Sequence, residues 1–82
     1  MNEKMLAETI ISRMQNAKDN KRNTAHVLFS TLESGFDKNL SDMKRFMNEI
    51  GLNYNQSNIP GAAMVSLEVN VDKLDILKNE TF

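Results

Sequence analysis

"NIPGAAMVSLEVNV", residues 58–71, is the one stretch of this chain that alternates as a β-strand does. From Ala63 onward the odd positions Ala63, Val65, Leu67, Val69 and Val71 are apolar, whereas Ser66, Glu68, Asn70 and Asp72 are not. A period of about two marks a strand with one buried face. Pro60 and Gly61 ahead of it suit a type II turn, because proline presets φ at the first central position and glycine supplies positive φ at the second. That turn folds the strand back on "LNYNQSN", residues 52–58, in which Leu52 and Tyr54 are the apolar members. A two-stranded hairpin is marginal in water on its own. The hairpin predicted over 52–71 must therefore rest on helices or gain more strands.

The chain before it reads as helix and turn. Leu6, Ala7, Ile10, Ile11, Met14 and Ala17 share one arc of a helix of about 3.6 residues per turn, which predicts an amphipathic helix over 3–17. "NAKDNKRN", residues 16–23, has no apolar residue larger than alanine and contains three Asn, so a loop is expected there. Thr24 is a candidate N-cap for a second helix over 24–34, with Val27, Leu28, Leu32 and Phe29 on its buried side and Gly35 ending it. A third helix over 39–50, capped by Asp37 or Asn39, would bury Leu40, Met43, Phe46, Met47 and Ile50 and close at Gly51. The alternative, one helix across 24–50, places Gly35 in its interior at a cost of about 1 kcal/mol. Residues 72–82 form a frayed tail or a short helical turn capped by Asp72, with Leu74 and Leu77 inward. The expected fold class is α+β, mainly helical: about three α-helices followed by a C-terminal β-hairpin, in a single small domain spanning 1–82.

Composition narrows the function. The 82 residues are 40% hydrophobic and 26% charged, which is ordinary for a packed domain and too apolar for disorder. Ten Lys and Arg against eleven Asp and Glu give a net charge of -1, so there is no broad field to attract phosphates or anionic lipid. Without cysteine there are no disulfides or thiolate metal sites, which fits a reducing cytoplasm. The opening residues are interrupted by Glu3, Lys4 and Glu8 and lack the pattern of a signal peptide. Residues 50–67 carry no charge, but their Asn, Gln, Pro and Gly content excludes a membrane span.

No catalytic constellation is evident. His26 is the single histidine and reads as an exposed or half-buried polar residue, and no GxSxG, HExxH or phosphate-loop run occurs. The carboxylates Asp37, Asp42, Glu49, Asp72 and Asp75 read as caps and solvated helix faces, so neither a metal nor a cofactor is expected. A helix-turn-helix centred on Gly35 fails in register, because Ser41 and Lys44 are polar where the two helices should lock. The six methionines suit adaptable binding grooves, but Met14, Met43 and Met47 sit at core spacing.

What remains is protein binding. If one edge of the hairpin is open, its free amides and carbonyls can pair with a second copy, giving a homodimer, or with a foreign strand. Leu67, Val69 and Val71 are the candidate partner-binding residues of that strand; a helix or the tail covering the edge is the bland alternative. The locally basic run Lys18, Lys21 and Arg22 is the other candidate contact, and more commonly such a run is a solvated loop.

The chain resembles the small, cysteine-free, Asn-, Lys-, Met- and Ile-rich accessory proteins of T-even bacteriophages. Its opening "MNEKMLAETIISRMQNAKDNKRNTAHVLFSTLESGF" and its length resemble the cytoplasmic antiholins of lysis inhibition. The likeness is broad along the chain, involves no diagnostic motif and assigns no residue a role. It implies a non-enzymatic inhibitor on the cytoplasmic side of the inner membrane, binding the cytoplasmic segment of a phage holin and delaying host lysis. Two other functions stay open. One is a phage antagonist of a host defence or transcription protein, and the other is a small nucleic-acid-binding regulator using Lys18, Lys21, Arg22, Lys44 and Arg45.

Overall fold

The structure is a computed structural model that describes residues 2–79. Helix α1, Glu3–Asp19, begins where the Asn2 side chain accepts a hydrogen bond from the Met5 amide at 2.9 Å. Leu6, Ala7, Ile10, Met14 and Ala17 form its buried stripe, as the spacing predicts. It runs two residues past the expected end and closes with Lys21 in the left-handed region at φ 59°. The Arg22 amide reaches back to the Ala17 carbonyl at 2.8 Å, and the Lys21 amide to Lys18 at 3.0 Å. These two bonds satisfy the last carbonyls of the helix in a Schellman arrangement.

The segment expected as a second helix over 24–34 is instead strand β1, Thr24–Ser30, followed by a turn. Ala25 and Val27 are buried and Phe29 half-buried, while His26 and Leu28 face out, so the burial has a strand's period. A helix would have buried Leu28 and Leu32, yet these are 46% and 84% exposed. Thr24 opens a strand and caps nothing. The expected order of three helices and then a hairpin is therefore corrected to helix, strand, helix, two strands, helix.

Gly35, at φ 79°, leads into α2, Phe36–Glu49, three residues ahead of the expected start. Gly51, at φ 72°, ends it as foreseen, and the buried Leu52 donates to the Met47 carbonyl at 2.8 Å. The chain then forms the hairpin of β2, Tyr54–Ile59, and β3, Met64–Asn70. Its connection differs from a type II turn. Pro60–Ala62 make one turn of 3₁₀ helix, and the positive φ falls on Ala63, at 52°, rather than on Gly61.

The sheet order is β1-β3-β2, with both pairings antiparallel. β1 and β2 are thus parallel to each other with β3 inserted between them, a split βαβ arrangement around α2. On one face Val27 opposes Leu67, Ala25 opposes Val69 and Tyr54 opposes Val69 from the far side. Onto this face pack Ile10 and Met14 of α1 and Met43, Phe46 and Met47 of α2. A turn of 3₁₀ helix over Val71–Lys73 leads to α3, Leu74–Asn79, which adds Leu74 and Leu77 to the same cluster. Asn70, not Asp72, caps that turn by accepting from the Asp72 amide at 3.0 Å. Residues 80–82 of the expected tail lie outside the described residues.

All three described helices lie on one side of the sheet, and the other side is open. No described helix is long and apolar enough to cross a membrane.

Candidate functional site

Because side chains alternate along a strand, the even positions of β1 and β3 and the odd positions of β2 share the open face. Registered rows cross it. His26 opposes Glu68, which opposes Asn55; Leu28 opposes Ser66, which opposes Ser57; Ser30 opposes Met64, which opposes Ile59. The row of His26, Glu68 and Asn55 makes one end polar, and the apolar Leu28, Met64 and Ile59 are spread over the two rows beyond it. Leu28 and Ile59 are 46% and 40% exposed there, with Met64 half-buried between them.

At the polar end His26 Nδ1 lies 3.1 Å from Ser66 Oγ, and His26 Nε2 lies 3.6 Å from Glu68 Oε2. Hydroxyl, imidazole and carboxylate in sequence is the order of a nucleophile, a base and an orienting acid. The geometry serves structure better than attack. Ser66 is only 4% exposed at the centre of the sheet, so its oxygen is turned into the protein surface and satisfied by the imidazole. Among the described residues no buried side-chain nitrogen or oxygen lacks a partner, and no three His, Asp or Glu converge as metal ligands.

A second concavity lies beside β2. α1 and α2 pack over β1, leaving the helix side of β2 largely bare, so Gln56 and Asn58 are exposed although they point toward the helices. Phe36 and Leu40 of α2, Asn58, Pro60 and Val65 border a groove of about 580 Å³ there. Lys44 reaches from α2 to β2, with Nζ 2.8 Å from Gln56 Oε1. On the flank of α2 that faces the start of α1, Lys38 Nζ sits 2.8 Å from Asp42 Oδ2. This hydrogen bond, partly opposed by burial, holds the Asp42 carboxyl below the usual carboxylate range.

The residues singled out from sequence do not form one surface. Leu67 and Val69 are buried beneath the helices on β3, which has a neighbour on both sides, so the open edges belong to β1 and β2. Val71 has left the strand; it packs half-buried on the core and donates to the Asn23 carbonyl at 3.0 Å. Lys18, Lys21 and Arg22 cluster at the end of α1. Lys18 pairs with Asp75 at 3.6 Å, Arg22 reaches Asn16 Oδ1 at 3.1 Å, and Lys21 supplies the left-handed cap. Sequence reasoning missed Leu28, Ile59 and Met64, because their exposure follows from strand pairing. The alternation of Ala25, Val27 and Phe29 was the one local sign of it.

Compared with family models, with curated proteins and with solved structures, this chain has no match.

Proposed function

We propose that the chain is a non-enzymatic protein-binding inhibitor. The observation that carries the reading is the one-sided layering. Three helices pack on one face of the sheet, over β1 and β3, and the opposite face presents Leu28, Ile59 and Met64 beside the His26–Glu68 pair. An exposed apolar group rimmed by polar side chains is the chemistry of a protein contact. The resemblance to antiholins names the partner: the cytoplasmic segment of a phage holin, whose capture would delay pore formation and host lysis from the cytoplasmic side.

Affinity capture with the purified holin segment tests this. Retention of the segment by the wild-type chain, lost on Leu28→Glu and Ile59→Glu while the fold persists, supports the reading. A segment that is not retained, or that binds both variants equally, removes it.

A further inference from the structure

We infer that β2 is a dimerisation edge, at which a second copy of this chain continues the sheet into six strands. β2 is exposed from Asn55 to Ile59, on both faces, and among the described residues its outer edge has no neighbour in the sheet. Its pairing with β3 runs without a bulge from Tyr54–Val69 to Ile59–Met64. Sheet edges are ordinarily guarded by lysine, proline, bulges or inward charges. β2 has none of these within its span.

Charge selects the occupant. A two-fold axis brings the side chains on or beside it close to their own images, so a charge at the middle of the strand would be repelled. Residues 50–67 carry no charge, whereas α1, α2 and α3 all display exposed Lys and Asp or Glu. An antiparallel junction between two copies also requires facing residues to lie on the same side of the sheet. With Ser57 on the axis, Ser57 meets Ser57 of the copy, Gln56 meets Asn58, and Asn55 meets Ile59. In this register the two Lys44–Gln56 bridges fall on opposite sides of the axis, and the lysines do not oppose each other. On the helix side the two grooves bordered by Phe36 and Leu40 join into one. The open faces become continuous, which doubles the surface assigned above to a partner without depending on that assignment.

Sedimentation equilibrium and light scattering on the purified chain, without any partner, test the inference. The wild type forms a dimer in a concentration series. Ser57→Lys, exposed and placed on the axis, lowers the dimer fraction at least tenfold with an unchanged circular dichroism spectrum, and Asn58→Lys does the same from the opposite face. Leu28→Lys, on β1, leaves the dimer intact. A wild type that stays monomeric throughout, or a dimer that survives both β2 lysines or is lost through Leu28→Lys alone, overturns it. Holin-segment capture is read separately, so failure of either proposal is distinguishable from failure of the other.

Discussion

His26 and Ser66 stand 40 positions apart in the chain, yet their side chains meet at 3.1 Å on the open face of the sheet. The contact exists because β1 is a strand paired with β3. Removing the imidazole strands a nearly buried hydroxyl, so His26→Leu should cost about 1–2 kcal/mol. Adding Ser66→Val to that variant should recover part of the loss. Urea denaturation of the double-mutant cycle reads the coupling; values additive to within about 0.3 kcal/mol would show that the contact contributes nothing.

Among the described residues two non-glycine residues occupy the left-handed region, Lys21 at φ 59° and Ala63 at φ 52°. Each strains its Cβ by roughly 1 kcal/mol, which glycine relieves at some entropic cost in the unfolded chain. Ala63→Gly and Lys21→Gly should each raise stability by about 0.5 kcal/mol, or roughly 2–4 °C in Tm. Gly51→Ala, at φ 72° with nothing within 4 Å of the added carbon, should move Tm the other way through backbone strain alone.

Asp42 predicts a pH dependence. Its carboxyl is depressed in the folded state by the Lys38 hydrogen bond, so the unfolded chain takes up protons first as the medium is acidified. The stabilisation is present at neutral pH, above the unfolded carboxylate value, and is lost as pH falls through the folded value. Lys38→Met should therefore flatten the acid limb of the stability curve. Thermal melts across the acid range measure this, and added salt should shrink the difference.

Leu67 is fully buried at the centre of the sheet, opposite Val27 and against the helices. Leu67→Ala should destabilise the fold by about 2–5 kcal/mol. Ile76→Ala, on the 63% exposed outer side of α3, should fall within about 0.5 kcal/mol of wild type. Equal effects in chemical denaturation would contradict the placement of the core.

Proline distinguishes the central strand from an edge. Val69 on β3 has strands on either side, so Val69→Pro removes a donor within the ladder and should abolish folding by circular dichroism. The edge strand β2 should tolerate proline where its amide points outward. A proline scan of residues 55–58 is expected to alternate between tolerated and disruptive positions.

The alternation from Ala63 to Val71 established β3 and its buried odd face, the 3.6-residue stripes established α1 and α2, and Gly51 established where α2 stops. These features are local, because each is written in side chains a few positions apart. Residues 24–30 were different. "TAHVLFS" holds apolar side chains at 25, 27, 28 and 29, a cluster that fits the arc of a helix as well as the face of a strand. Tertiary pairing decided between them: β3 has two edges to satisfy, β2 fills one, and a strand at 24–30 fills the other while Val27 covers Leu67. The same choice placed Leu28 on the open face, brought His26 to Ser66 and left β2 at the margin. Hydrogen bonding between segments distant in the chain, which no local spacing records, thus determined where the candidate surfaces lie.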